Sequence, residues 1–341
     1  MRIFRVLGIY RERVYSNHAV EADRNILDAA LEKVQNYFKV YDNVIYDNVT
    51  NIANVNIESI DGELLQENIS NEDICKYDII LSMAQSSEVL KLLSFAEEKS
   101  ESASANGNRP TPVIIINSVK AIRNCYRLNL SKLLTKNNLF YPEYCLLNTC
   151  VRINKLPFAS SEGYWLKRVD FHALSDEDVV YVRGGGEEDV DEVNNYIERF
   201  KQRSIKSVIL QKHIVGDVIK FYGVGDRYFS YRYMDKESID LENEDVIVYN
   251  LIKHIAFRAA DVLGLEIYGG DVVVDQEKRV HLIDMNDWPS FRSCVNDASS
   301  FMAELVTNKY LNLNVNTNRN YKFGELKENV ISPIFCGRVS T

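Results

Sequence analysis

The first 118 residues alternate between strand-like and helix-like patterns. The apolar run at 2–10 predicts a strand, and the segment 20–38 predicts an amphipathic helix because its apolar residues recur every three or four positions. The segment 86–99 predicts a second helix, with Ser86 or Ser87 as its N-cap, and the polar stretch 100–110 predicts a loop. The remaining predicted strands of this region are 40–47, 55–60, 76–84 and 112–117. Strands that alternate with helices indicate a parallel, three-layer α/β unit.

From residue 118 onward the pattern changes to short strands separated by long helices. Helices are predicted at 121–138, 245–264 and 293–310, and strands at 143–148 and 163–170. Three strand-like runs in close succession (207–214, 218–225 and 226–234) predict an antiparallel meander. Gly264 is placed to end its helix as a C′ residue. The runs 268–275 and 279–286, joined by three residues, predict a β-hairpin.

Composition limits the classes of protein to consider. The chain has 341 residues, 46% apolar and 26% charged, which is typical of a globular protein with two or three domains. No apolar run approaches the roughly 20 residues that cross a bilayer, and the N-terminus lacks the pattern of a signal peptide, so we expect a cytoplasmic protein with no membrane partner. The net charge of −9 disfavours nucleic acid as a partner.

The six cysteines form no CxxC pair, so we expect buried free thiols rather than a zinc site or disulfides. They are Cys75, Cys125, Cys145, Cys150, Cys294 and Cys336.

The predicted hairpin carries an unusual group of oxygen-bearing side chains. Asp271 opens its first strand, and Asp284 and Asn286 lie near the end of the second. Because the strands are antiparallel and residues i and i+2 share a face, the three side chains are expected to converge at one end of the hairpin. Carboxylate and amide oxygens suit Mg²⁺. The alternatives are a Mg²⁺ site and a solvated hairpin end, whereas Asp287 is expected on the opposite face as a solvated turn residue.

Two lysines lie within otherwise apolar strands. Lys167 and Lys220 could each carry its ammonium group to the protein surface, or both could bind phosphate groups whose charge a metal also balances. The residues alone leave both alternatives open.

Taken together and in order, these segments resemble the ATP-grasp superfamily over residues 118–307. The segments GGDVVVD and HLIDMNDWPS are similar to the strand pair that holds Mg²⁺ in that family, and GDVIKFYGVGD resembles the glutathione synthetase and ribosomal-protein glutamate ligase branches. The resemblance implies a fold of mixed α/β and α+β class: a parallel pre-ATP-grasp domain (1–118), two ATP-grasp subdomains (119–209 and 210–310) and a C-terminal tail (311–341).

The resemblance also implies roles for individual residues. The residues that would bind ATP are Lys132, Lys167, Gln211, His213, Ile214 and Asp217. Mg²⁺, or alternatively Mn²⁺, would be held by Asp271, Asp284 and Asn286. Lys220 and Arg232 would act on the transferred phosphoryl group. Ser290 would face the acceptor substrate. Arg11 and Arg13 follow the first strand, where open α/β sheets bind ligands, so they either hold an anionic substrate or are exposed loop arginines.

The activity implied is ATP-dependent ligation through an acylphosphate. The expected substrates are small-molecule or peptide carboxylates with an amine or thiol acceptor, and a homodimer is left open. One alternative is a kinase of the inositol-polyphosphate kinase type, because DMNDWPS also resembles a motif of those enzymes; another is a nucleotide-binding module without ligase activity. A dinucleotide-binding dehydrogenase is disfavoured because no GxGxxG follows the first strand.

The sequence departs from the family pattern in two places. No glycine lies in 169–180, where the family has a glycine-rich loop over the phosphates; His172 would either serve that role or be a surface residue, and Gly184–Gly186 are expected to form a turn. Gly269 and Gly270 stand where several ligases have a substrate-positioning arginine.

Overall fold

A parallel sheet occupies the N-terminal part of the chain. The computed structural model describes residues 3–16, 19–44, 54–107, 112–170, 175–186, 189–234 and 246–315. The first elements are β1 (Ile3–Tyr10), α1 (Val20–Val44), β2 (Asn54–Asp61), α2 (Leu65–Asn68), α3 (Asn71–Ile74), β3 (Ile79–Ser82), α4 (Ser87–Ala105) and β4 (Ile114–Ile116). The strand order is β2-β1-β3-β4, and every pairing is parallel. The predicted parallel α/β unit is therefore confirmed.

The second sheet is antiparallel. Its region contains α5 (Val119–Asn124), α6 (Arg127–Lys136), β5 (Tyr144–Asn148), β6 (Tyr164–Arg168), β7 (Val179–Val182), α7 (Asp189–Gln202) and β8 (Ser207–Lys212). The strand order is β5-β8-β6-β7. One face, which includes Leu166 and Leu210, packs with Ile197 and Phe200 of α7. The opposite face is thereby left available for a site.

The third sheet is also antiparallel. It comprises β9 (Asp217–Val224), β10 (Tyr228–Tyr233), β11 (Ile267–Val274) and β12 (Val280–Asp287), accompanied by α8 (Val246–Leu263) and α9 (Val295–Val315). The strand order is β10-β9-β11-β12. One face packs against α8 through residues such as Phe221, Tyr268 and Met285. The predicted hairpin is confirmed as β11–β12, and Gly264 ends α8 with a φ of 76°.

Helix α9 packs against elements at the N-terminal end of the chain. Met302 and Val306 of α9 belong to the same hydrophobic cluster as Phe4 and Phe38 of the first sheet and α1. The last helix therefore packs on the N-terminal unit, although it follows the third sheet in sequence. The structure describes nothing beyond Val315, so most of the predicted C-terminal tail lies outside the described residues.

Several predicted elements were wrong in extent or pairing. The segment 40–44 continues α1 rather than starting a strand, because the helical period runs on. Helix α4 extends into the predicted loop as far as Ala105. Ser100 and Ser102 donate hydrogen bonds to backbone carbonyls three and four residues earlier. The predicted meander is also divided, since β8 belongs to the second sheet while β9 and β10 pair in the third.

Two further predictions can be compared with the structure. Ser86 caps α4 by accepting a hydrogen bond from the backbone N–H of Val89. All five cysteines in the described part of the chain are free thiols, but only Cys125 is buried and Cys150 is exposed. No helix among the described residues has the length and apolar character needed to span a membrane.

Candidate active site

A row of four charged side chains crosses the third sheet. The strand register places Arg232 opposite Lys220, Lys220 opposite Asp271, and Asp271 opposite Asp284. Directly opposite residues in antiparallel strands have Cβ atoms about 4.5–5.5 Å apart. We call these four residues the charged row. It lies on the face of the sheet that α8 does not cover.

Asn286 lies on the same face as the charged row, two residues beyond Asp284 on β12. It stands opposite Gly269, which in turn stands opposite Tyr222 on β9. A Cβ on Gly269 would come within 2.7 Å of Cγ of Pro289 and 2.9 Å of the Phe221 carbonyl oxygen. Glycine is therefore required at 269, and its missing side chain keeps the space between Tyr222 and Asn286 open. The structure brings Asp271, Asp284 and Asn286 together, as expected from the hairpin.

The two central members of the charged row, Lys220 and Asp271, are half-buried. Burial raises the pKa of Asp271, as does the negative charge of Asp284, although the nearby ammonium group of Lys220 acts to lower it. Lys220 Nζ lies 2.7 Å from Asp271 Oδ1; burial opposes its charge, but Asp271 outweighs this effect and raises the pKa of Lys220. Two adjacent carboxylates favour binding of positive charge between them.

The oxygen atoms of this group fit a hard divalent cation. Two carboxylates and one amide oxygen are ligands that Mg²⁺ accepts, and the ion takes its remaining ligands from water and phosphate. Among the described residues no group of three or more His, Cys, Asp or Glu side chains could hold a metal by itself. A metal at Asp271, Asp284 and Asn286 would therefore be shared with a ligand, and metal binding stays a prediction.

Lys167 approaches the charged row from the second sheet. It is 9% exposed, and burial lowers its pKa to about 8, while Asp284 and Asp271 act in the opposite direction. Lys167 alternates with Leu166 and therefore lies on the face of the second sheet that α7 does not cover, near enough to both carboxylates for their charges to act on it. Lys167 is thus not a surface lysine, and its ammonium group is held in a poorly solvated cleft.

The segment that joins the second and third sheets lies beside Lys167. Gln211 pairs with Trp165, which shares the face of Lys167. Gln211 is 1% exposed, and its Nε2 atom makes no hydrogen bond of good geometry among the described residues, although the Tyr141 hydroxyl lies near its side chain. His213 accepts a hydrogen bond from the indole N–H of Trp165 at 2.9 Å, and burial lowers its pKa. A buried amide donor without a partner is costly unless a ligand accepts from it.

The remaining two residues of the predicted adenine and ribose site follow directly. Ile214 is half-buried, and Asp217 is exposed at the start of β9. All four predicted residues therefore lie between the end of β8 and the start of β9.

An open cleft of about 200 Å³ adjoins the charged row. It is lined by Lys220, Tyr222, Arg232, Gly270, Asn286, Pro289, Ser290 and Arg292. Three of these residues are cationic, so the cleft suits an anionic ligand. Ser290 lines it, and its expected contact with a substrate stays a prediction.

The fold of the whole chain resembles solved structures of ATP-dependent ligases. The D-alanyl-alanine synthetase A of Vibrio cholerae has a TM-score of 0.61 at 13% identity, covering 92% of this chain and 100% of that one. The D-alanine–D-alanine ligase of Bacillus anthracis, complexed with ATP, has a TM-score of 0.57 at 11% identity, covering 92% of this chain and 99% of that one. A RimK domain ATP-grasp protein of Sphaerobacter thermophilus has a TM-score of 0.56 at 14% identity, covering 89% and 99%.

The chain has the ATP-grasp fold. The fold predicted from the sequence resemblance is therefore confirmed, with the parallel sheet followed by two antiparallel sheets. By sequence alone, no family model and no curated protein matches the chain.

The structure contains a buried cation beside Lys167 that the sequence did not reveal. Arg127, at the start of α6, is 5% exposed, donates to the Arg168 carbonyl oxygen at 3.2 Å and repels the charge of Lys167. Ser131, one turn later, is fully buried and contacts Tyr141. The buried face of α6 therefore carries Arg127, whereas Lys132, predicted from the sequence to bind ATP, is exposed.

We expect Arg127 to contribute more to ATP binding than Lys132. Replacing Arg127 with methionine should weaken binding of Mg-ATP about 10- to 100-fold, because a charge-assisted hydrogen bond to a phosphate contributes about 1.5–3 kcal/mol. Lys132→Met should change the dissociation constant by less than about threefold. Titration calorimetry of both variants measures this difference, and a greater loss for Lys132→Met would restore the original prediction.

The structure excludes the exposed alternative for Arg11 and the solvated position expected for Asp287, while a substrate role for Arg11 stays a prediction. The guanidinium of Arg11 donates to the Trp288 carbonyl oxygen at 2.6 Å and is not an exposed loop group, whereas Arg13 is exposed. Asp287 is 2% exposed and accepts two contacts from the side-chain amide of Gln85, so the expected solvated turn residue is wrong.

Two other predictions concern the phosphate lid. His172 lies outside the described residues. Gly184–Gly186 connect β7 to α7, and Gly185 has a φ of 94°, which agrees with the expected turn.

Proposed function

We propose that the protein is a Mg-dependent ATP-grasp ligase that activates a carboxylate and joins it to an amine or thiol. The observation that carries the proposal is the charged row together with the buried Lys167, which lies near enough to Asp284 and Asp271 for their charges to act on it. Solved structures with this fold are described as ligases, and one contains ATP. The reaction consumes ATP, so we also propose a cytoplasmic location.

The proposed reaction has two steps that balance without another reactant. A substrate carboxylate oxygen forms a bond to the γ-phosphorus of ATP while the bond to the bridging β,γ-oxygen breaks, which gives an acylphosphate and ADP. The acceptor nitrogen or sulfur then attacks the acyl carbon, loses a proton and expels phosphate. Neither step requires a covalent bond to the protein.

The side chains supply positive charge and fixed positions for this chemistry. Lys167 would hold phosphate oxygens of ATP, and Lys220 and Arg232 would lie beside the transferred phosphoryl group. Asp271, Asp284 and Asn286 would hold Mg²⁺. When bound, the ion withdraws charge from phosphate oxygens and fixes their orientation. Because the cleft is poorly solvated near Lys167, these charges act more strongly there than in water.

The cleft beside the charged row would receive the carboxylate. Arg232 and Arg292 give it positive charge, and Ser290 provides a hydroxyl on its wall. Its volume of about 200 Å³ is below the roughly 300–1,000 Å³ of sites for drug-sized ligands. This size favours a single amino-acid side chain or a small acid as the group that enters.

A kinase is the second candidate, and the same cleft gives the observation in its favour. Arg232 and Arg292 would also bind the phosphate groups of a phosphorylated alcohol. The two candidates differ in their product, since an acylphosphate reacts with hydroxylamine and a phosphate ester does not.

Hydroxylamine trapping separates these proposals. The full chain is incubated with ATP, Mg²⁺, hydroxylamine and a panel of amino acids, dicarboxylates and acidic peptides, and hydroxamate and ADP are measured. The proposed ligase gives hydroxamate in amounts equal to ADP with at least one acid. A stable phosphate ester would support the kinase instead, and a chain that does not bind Mg-ATP would refute both.

A further inference from the structure

The end of β12 is held by side chains of the N-terminal unit. Gln85, which follows β3, donates its side-chain amide to both oxygens of the Asp287 carboxylate, at 2.9 and 3.1 Å. Both side chains are buried, with 4% and 2% exposure. A buried carboxylate is restricted to the geometry of its donors. Asp287 is therefore fixed to a unit that is distant in sequence.

Gln85 is itself held in one position. Its backbone N–H donates to Glu12 Oε2 at 2.9 Å, and the N–H of Ser86 donates to Glu12 Oε1 at 3.1 Å. Glu12 is 3% exposed at the end of the first strand region. The Glu12 carboxylate therefore fixes the backbone position from which the Gln85 side chain extends.

The residue after Asp287 is held independently. Trp288 is fully buried, and its indole N–H donates to the Ile116 carbonyl oxygen at 3.0 Å, while its own carbonyl accepts from Arg11 at 2.6 Å. Its φ of 43° is rare for a bulky residue and persists only where the surroundings determine it. The backbone that leaves Asn286 is therefore set by contacts with the N-terminal unit.

These contacts act next to the proposed metal ligands. Asn286 directly precedes Asp287 on β12, and Asp284 lies three residues before Asp287 on the same strand. Resting on the proposed function, we infer that Gln85 is a positioning residue: by holding Asp287, it orients the Asn286 carboxamide and so sets the affinity for the divalent ion. The N-terminal unit would thereby complete a metal site to which it contributes no ligand.

The test compares metal affinity with stability in the full chain. Binding of Mn²⁺ is followed by electron paramagnetic resonance with a non-hydrolysable ATP analogue present, and unfolding is followed by thermal melting. Groups that orient metal ligands typically change metal affinity 10- to 100-fold when removed. We expect Gln85→Leu to weaken Mn²⁺ binding by that factor. Gln85→Asn, which keeps the amide but shortens its reach, should show a smaller loss and serves if Gln85→Leu does not fold.

A reciprocal exchange tests the role of Gln85 directly. Gln85→Glu combined with Asp287→Asn places the donor on residue 287 and the acceptor on residue 85, so it should recover most of the lost Mn²⁺ affinity. Asn124→Ala is the control, because it removes another side-chain amide donor, which binds the Leu263 carbonyl oxygen at 3.0 Å, away from β12. It should leave Mn²⁺ affinity within about twofold.

The outcomes separate this inference from the proposed function. Wild-type protein that binds Mn²⁺ while Gln85→Leu and Gln85→Asn bind it equally well overturns the inference alone. If the reciprocal exchange does not recover the lost Mn²⁺ affinity, or if Asn124→Ala loses as much, Gln85 stabilises the fold without positioning the metal ligand, and the inference is wrong. Wild-type protein with no Mn²⁺ affinity in the presence of the nucleotide analogue overturns the proposed function, and this inference falls with it.

Discussion

Replacing Asp284 with asparagine is expected to lower ATP turnover by about 10²–10³-fold or more. The substitution keeps the size of the side chain but removes one of the two carboxylate charges that would hold Mg²⁺ between Asp271 and Asn286. It also leaves Lys167 without the attraction of Asp284. Turnover is measured as ADP release at saturating Mg²⁺ with the acid identified by hydroxylamine trapping, and folding is verified by thermal melting.

Glu277→Gln is the control for this substitution. It removes a carboxylate from the exposed turn of the same hairpin, where Glu277 contacts Arg279, and it should leave turnover unchanged. An Asp284→Asn variant that keeps its turnover would show that the hairpin does not hold the metal.

Replacing Lys167 with methionine is expected to abolish ATP binding and, at the same time, to stabilise the nucleotide-free protein. Burial lowers the pKa of Lys167 from 10.5 to about 8, which corresponds to roughly 3 kcal/mol of stability lost at neutral pH. Methionine fills similar space without a charge to desolvate. We expect Lys167→Met to raise the free energy of unfolding by about 1–3 kcal/mol. The full cost derived from the pKa is an upper limit, because local water and the nearby carboxylates relax around the charge.

The pH dependence identifies the origin of this gain. Below pH 8 Lys167 is charged in both states, so the folded state bears the full cost of burying the charge. Between about pH 8 and 10.5 the folded protein releases the proton while the unfolded chain keeps it, so the stability of the wild type rises with pH in this range. The advantage of Lys167→Met should therefore be largest near pH 7 and disappear towards pH 10.5.

Chemical unfolding of both proteins between pH 6 and 10 measures this dependence. Lys136→Met, at an exposed position on α6, is the control and should change neither stability nor ATP affinity appreciably. A Lys167→Met variant that is less stable than the wild type at neutral pH would contradict the buried charge. One that binds ATP normally would contradict the site.

The part of the site that could be predicted from sequence is the part that local periodicity determines. Asp271, Asp284 and Asn286 follow from the two-residue period of strands and from antiparallel pairing across a short turn. Lys167 and Lys220 were also identified, because a lysine within an apolar strand is conspicuous. That Lys167 does not extend to the surface could be seen only from the second sheet, which buries it, and phosphate binding by this lysine stays a prediction.

What the sequence did not predict depends on contacts between distant segments. The buried face of α6 depends on the break at 125–126 between α5 and α6, so the sequence alone does not show that Arg127 is buried and Lys132 exposed. The alternation that places Asp287 on the opposite face from Asn286 does not show that Gln85, 202 positions away in sequence, covers that face. The divided meander has a similar cause, since nothing in 207–234 shows that the chain leaves one sheet at Gly216 and enters another.

The most direct test of the account is a crystal structure of the full chain with Mg²⁺ and a non-hydrolysable ATP analogue. The account predicts adenine beside Gln211, phosphates at Lys167 and Arg127, and Mg²⁺ bound by Asp271, Asp284 and Asn286 as well as by phosphate oxygens. A nucleotide bound elsewhere, or a metal that contacts none of these three side chains, would contradict it.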